Sequence, residues 1–209
     1  MVEGRIELAR RPRVERATQK FRVVYIDSFL QIQNMPPFNG ATCDGGIHVI
    51  TDFDGVISEG GSLKNVANLR TLSKIGERSK TVEIHTSRSY CDDSDNRRFN
   101  LTSYLGDQFG PVSDFPILTW SSEFFLEEII RSKNSDCRVS FVTGLQKIFG
   151  GNQKILDLSS EVLNSGNTLV MVGSSHIDKM AAKNVYVQNK SSIKDGRNFF
   201  CYNTGHILI

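Results

Sequence analysis

From residue 47 onward, short apolar runs alternate with longer stretches whose apolar positions recur every three or four residues. Residues 47–51 (IHVIT) are an apolar run of strand length, followed by a turn-rich patch, GVISEGGS. In LKNVANLRTLSKIG, the residues Leu63, Val66, Leu69, Leu72 and Ile75 fall on one face at three-residue steps, which predicts a helix. TVEIHTSRS predicts a strand ending in hydroxyls, DNRRFNLTSYLGDQFG a helix stopped by glycine, FPILTW a strand, and SSEFFLEEIIRS a helix behind a serine cap. CRVSFVTG predicts a strand or hairpin arm, and NQKILDLSSEVLNSG a helix closed by Gly166. NTLVMVGSS predicts a strongly apolar strand, HIDKMAAKN a short helix and VYVQ a last core strand. Strands alternating with helices predict an α/β domain with a mostly parallel sheet. Upstream, residues 4–20 suit a short charged helix and FRVVYIDSFLQIQ a strand or hairpin. NMPPFNGATCDGG is a loop by its Pro, Gly and Asn content. That loop divides an N-terminal extension, 1–46, from a core, 47–209.

Composition narrows the class. The chain has 209 residues, enough for one domain with a buried core, and its net charge of +2 gives no overall electrostatic case for a nucleic-acid or membrane partner. Charge is uneven: residues 1–22 carry six Arg and one Lys against three Glu. Such a basic arm suits an anionic partner or simply a solvated terminus. Cys43, Cys91, Cys137 and Cys201 are far apart, which predicts reduced thiols, not a disulfide framework or zinc site. No apolar run spans a membrane and no secretory signal is present, so a cytoplasmic protein is expected.

In an open α/β sheet, ligands bind beyond the carboxyl ends of the strands. The first core strand delivers Asp52 and Asp54 followed by Gly55, the second Thr86, Ser87 and Arg88, and the late apolar strand Gly173, Ser174 and Ser175 with Asp178 soon after. Lys154 opens the helix that leads to that last strand. This set suits phosphoryl transfer. A carboxylate can attack phosphorus, and a second acid two residues on can protonate the leaving oxygen and then activate water. A hard divalent ion, Mg²⁺ above all, offsets the repulsion between carboxylates and phosphate. Hydroxyls and backbone N–H groups hold phosphate oxygens, and a lysine adds a point charge.

These motifs resemble those of the haloacid dehalogenase superfamily, mostly Mg²⁺-dependent phosphatases with a Rossmann-like core. The resemblance rests on VITDFDGV, on VEIHTSRS with Thr86 at its key place, on Lys154 and on VMVGSSHID, in that order, and covers roughly residues 47–188. It implies a three-layer α/β/α fold and hydrolysis of a phosphomonoester through an aspartyl phosphate. Asp52 would be the nucleophile, Asp54 the acid and base, and Thr86, with Ser87 behind it, the phosphate holder. Lys154 would tie nucleophile to phosphate, Asp52, Asp54 (through its carbonyl) and Asp178 would hold Mg²⁺, and Arg88 would touch substrate. Ser174 stands where the family pattern has an acid, which motivates a second reading: a catalytically weakened phosphate-binding or regulatory module.

Bland alternatives stay open beside these roles. Lys147 could replace Lys154, and Asp178 could be a helix-start charge. His85 and His176 suit structural or substrate-edge places, the acidic cluster at 91–95 a helix cap, and Phe124 and Phe125 the core. The spacing leaves room for only a small insertion around 121–150. An open site would suit a macromolecular or bulky phosphoester; alternatively, residues 1–46 or a second subunit of a homo-oligomer act as lid, and the substrate is a phosphorylated small molecule or bulky phosphoester. A nucleic-acid end-processing phosphatase using the basic arm is the remotest reading.

Overall fold

The computed structural model describes residues 20–41, 43, 45–58, 65–86, 90–91, 118–142, 152–194 and 197–205. Six strands form one all-parallel sheet: β1 (Val24–Tyr25), β2 (Ile47–Asp52), β3 (Ser79–His85), β6 (Arg138–Val142), β7 (Thr168–Gly173) and β8 (Phe199–Asn203). Their order is β1-β8-β7-β2-β3-β6. A separate parallel pair joins β4 (Tyr90–Cys91) to β5 (Leu118–Thr119). Among the described residues, four helices cover the sheet: α1 (Val66–Arg78), α2 (Trp120–Arg131), α3 (Asn152–Asn164) and α4 (His176–Gln188).

The two faces bury different side chains. Val49, Val82, Ile84, Val170 and Val172 face one way, into a core with Leu69, Leu72 and Ile75 of α1 and Phe125, Leu126 and Ile130 of α2. Ile50, Leu169, Met171 and Cys201 face the other way, against Ile155 and Val162 of α3 and Ala182 and Val185 of α4. This is a Rossmann-like three-layer α/β/α fold, and its central strands are nearly continuously buried because helices cover both faces. Gly166 closes α3 as predicted: at φ +71° it lets its own N–H reach Leu163 O and the Asn167 N–H reach Val162 O, the paired bonds of a Schellman turn. Among the described residues, no helix is long and apolar enough to cross a membrane.

Two element expectations change. VYVQ is the end of α4, not a strand. Val185 and Tyr186 are buried with Ala182 while Val187 is 63% exposed, a split that helical spacing makes and a strand would not, since Val185 and Val187 would share a face. The last strand is instead β8. FRVVYIDSFLQIQ yields only the short β1 and then a 3-10 helix, Phe29–Asn34. Residues on both sides of position 46 share one core: β1 extends the sheet, and Ile26, Phe29, Ile32 and Phe38 are buried with β2. In the 121–150 window, α2 and β6 belong to the main layers, and 143–150 lie outside the described residues. The predicted helices at 4–20 and 95–110 also lie largely or wholly outside them.

The aromatic pair divides. Phe125 is 1% exposed, whereas Phe124 is 38% exposed. Phe125→Ala is expected to cost about 3–5 kcal/mol in chemical denaturation, and Phe124→Ala distinctly less. Free thiols stand at Cys43, Cys137 and Cys201, and burial pushes Cys137 up to about 11 and Cys201 up to about 12.

Candidate functional site

From β2 the chain steps outward to β3 and β6, then returns to the other side of β2 for β7 and β8. The direction reverses between β2 and β7, and such a reversal opens a crevice at the carboxyl ends of the strands. Asp52 ends β2, Thr86 follows β3, and Ser174 follows β7, so residues far apart in sequence meet at that crevice.

The loop after β2 is tightly held. Ile57 and Ser58 both donate their N–H to Phe53 O, and Gly55 donates to Ser58 O. Asn68, buried on α1, donates to Val56 O and Ile57 O. Gly55 has φ +74°, and a Cβ there would lie 2.9 Å from Ser174 Cβ and Oγ, so glycine is required both for the turn and for the approach of β7's end. From the far side, Thr204 Oγ1 donates to Gly55 O at 2.8 Å.

Within this frame, Asp52 is 8% exposed, and its Oδ1 accepts the Phe53 N–H at 3.0 Å. Ser174 Oγ lies 3.0 Å from Asp52 Oδ2 and 2.7 Å from Asp54 O. Both neighbours are acceptors, and a hydroxyl has one hydrogen to give. One of the two contacts therefore lacks a proton unless Asp52 itself carries one. The Asp54 carboxylate turns elsewhere: Thr86 Oγ1 donates to its Oδ2 at 3.0 Å, and Ser58 Oγ to its Oδ1 at 3.4 Å.

Asp178 takes the helix-start role left open by its position. Its Oδ2 accepts the Ser174 N–H, the Ser175 N–H and the Ser175 hydroxyl, while its own N–H donates back to Ser175 Oγ, a capping box at the start of α4. His176 is exposed on the first turn of that helix. The ion pair made by Lys154 is with Glu83, Nζ to Oε2 at 3.6 Å. The lysine that lines the cavity beside Asp52, His85, Asp178 and Asn203 is Lys179, whose Nζ donates to Tyr25 OH at 2.8 Å. Ser87, Arg88, Lys147 and the acidic residues at 92–95 lie outside the described residues, as does most of the basic arm.

Sequence reasoning missed a buried polar cluster on β3. His85 Nε2 and Glu83 Oε1 are 2.6 Å apart, Ser140 Oγ donates to Glu83 Oε2 at 3.0 Å, and Lys154 completes the set. Burial pushes the Glu83 carboxyl up, but His85, Lys154 and Ser140 together outweigh it and hold it below the usual carboxylate range. His85 pairs with Asp52 across the β2–β3 register, which brings this cluster beside the crevice. The available signal was Glu83 and His85 at alternate positions of β3, flanking Ile84, hence on one face.

Asp52 Oδ2, Ser174 Oγ and Asp54 O are all hard oxygens, the donor type that Mg²⁺ takes, and Ser174 Oγ lies within hydrogen-bond distance of the other two. Among the described residues, no group of three or more His, Cys, Asp or Glu side chains could hold a metal, so a cation here would rest on a mixed set of carboxylate, carbonyl and hydroxyl. Searches against protein-family models, curated proteins and solved structures give no match.

Proposed function

We propose that the protein is a Mg²⁺-dependent phosphomonoester hydrolase that works through an aspartyl phosphate on Asp52, as its resemblance to the haloacid dehalogenase superfamily implies. The observation that carries this reading is the meeting of Asp52, Asp54, Thr86 and Ser174 at the sheet's reversal point, with Ser174 Oγ within hydrogen-bond distance of both Asp52 Oδ2 and Asp54 O. The Asp52 carboxylate attacks phosphorus, the ester oxygen leaves, and Asp54 supplies its proton. Asp54 then takes a proton from water, the water oxygen attacks the phosphorus of the acyl phosphate, and Asp52 is released with inorganic phosphate.

Thr86 has one proton, which it gives to Asp54 Oδ2. When phosphate enters, that proton turns to a phosphate oxygen and frees a lone pair on Asp54 for its acid–base work. Lys179 at the cavity adds positive charge near the incoming dianion. Bound Mg²⁺ would be held by the Asp52 carboxylate, the Asp54 carbonyl and Ser174, and would offset the repulsion between Asp52 and phosphate. The substrate class is a phosphorylated small molecule or bulky phosphoester, in the cytoplasm.

The test is phosphate release from p-nitrophenyl phosphate and a panel of natural phosphomonoesters, with Mg²⁺ and with EDTA. Release that requires Mg²⁺ is expected; no release from any ester by folded protein would contradict the reading. One observation favours a second reading, a phosphate-binding module without turnover: Ser174 stands in an acid's place and the Asp178 carboxylate caps α4. Phosphate binding without hydrolysis would identify that case.

A further inference from the structure

We propose that His85 is a specificity-determining residue of this site, its Nδ1 pairing with a hydroxyl on the leaving group, so that the ester cleaved is that of an alcohol carrying a further hydroxyl. The inference rests on the phosphomonoester hydrolase reading above and adds the kind of alcohol to it. His85 belongs to the buried polar cluster on β3, which the proposed chemistry does not use. The imidazole is 3% exposed and held at one end: Nε2 lies 2.6 Å from Glu83 Oε1, while Nδ1 is buried without a hydrogen-bond partner. Glu83 is fixed in turn by Ser140 Oγ at 3.0 Å and Lys154 Nζ at 3.6 Å, so the ring stands on a firm support. A buried polar atom left unpaired costs stability, and native structures keep few of them.

The place of His85 in the fold supplies a reason. It is the last residue of β3 and the register partner of Asp52, and both line the same cavity. With Nε2 taken by Glu83, Nδ1 is the nitrogen that the ring has left to offer a ligand there. Other polar side chains of the cavity are engaged: Asp178 caps α4, Asn203 joins Ser175 O to the Gly205 N–H, and Lys179 reaches Tyr25. Among the described residues, four buried side-chain atoms lack a partner, and His85 Nδ1 is the one at this cavity. Ile50, Ile155, Met171 and Ala182 give the same cavity an apolar side that suits the carbon atoms of a leaving group. A hydroxyl fits Nδ1 in either state of the ring, since it donates to a lone pair and accepts from an N–H.

Kinetics of the full chain on matched esters tests this: glycerol phosphate against propyl phosphate, and sorbitol phosphate against hexyl phosphate. A site built to pair with a substrate hydroxyl rejects the analogue lacking it, so wild type is expected to favour the hydroxylated member of each pair by at least about tenfold in kcat/KM. In His85→Phe, which keeps a ring without Nδ1, that preference is expected to shrink to about threefold or less, whereas a purely structural loss would lower both members alike. Equal kcat/KM for the members of each pair in wild type would overturn the inference and leave the hydrolase reading intact. So would a preference undiminished in folded His85→Phe. No release from any ester, p-nitrophenyl phosphate included, would overturn both. The wild-type pairs decide the matter even if the variant does not fold.

Discussion

Asp52→Asn is expected to lower phosphate release by a factor on the order of 10⁴ or more, the scale seen when a group acting covalently in a catalytic unit is removed. The fold should not suffer. In the native network, Ser174 has one proton for two acceptors, Asp52 Oδ2 and Asp54 O. An asparagine amide can donate to Ser174 Oγ, which then gives its own proton to the Asp54 carbonyl, so that every contact has a hydrogen. Paired thermal melts and activity assays should therefore diverge, with a Tm at or above that of the wild type and activity at background. Activity that survives the substitution would remove Asp52 from the role of nucleophile.

Glu83→Gln is expected to be the most damaging of the conservative substitutions near the site. The carboxylate is 5% exposed and holds His85, Ser140 and Lys154 at once. Taking one partner from a buried pair costs about 3–5 kcal/mol; the contact to half-exposed Lys154 adds little to this. A loss of about 3 kcal/mol corresponds to a fall in Tm of roughly 6–12 °C for a domain of this size. The pH dependence has a definite sign. The folded carboxyl lies below its usual value, so its contribution is fully present above the unfolded value of about 4.3 and is lost as pH falls through the lower, folded one. Denaturation of wild type and variant should differ fully at pH 7 and converge as pH falls through the lowered, folded value of the Glu83 carboxyl.

The legible parts of the chain were those where one signal dominated. β2 and β7 are apolar on both faces, α1 repeats at three-residue steps, and Gly166 ends a helix with the turn that glycine permits. Where two signals competed, local composition misled. VYVQ has strand-forming residues, but the packing of Val185 and Tyr186 beside Ala182 on the inner face of α4 decided for helix. The strand β8 carries only a short aromatic run, and its pairing with β7 is a tertiary fact. The site divides in the same way. Asp52, Asp54, Thr86 and Ser174 could be placed because strand ends converge in this architecture. The hydroxyl bridge of Ser174 could not, since it joins positions 122 and 120 residues apart. Lys154 was placed by its order along the chain, but its partner depends on Glu83 facing α3, which follows from the register of β3.

The central claim is a phosphoryl group covalently held on Asp52. The direct measurement is borohydride reduction of protein quenched during turnover, followed by peptide mass spectrometry. An acyl phosphate on Asp52 would be reduced to homoserine at position 52, in the presence of Mg²⁺ and substrate and absent with EDTA. Robust phosphate release with aspartate unchanged at position 52, or with phosphate found on a serine or threonine, would contradict the account.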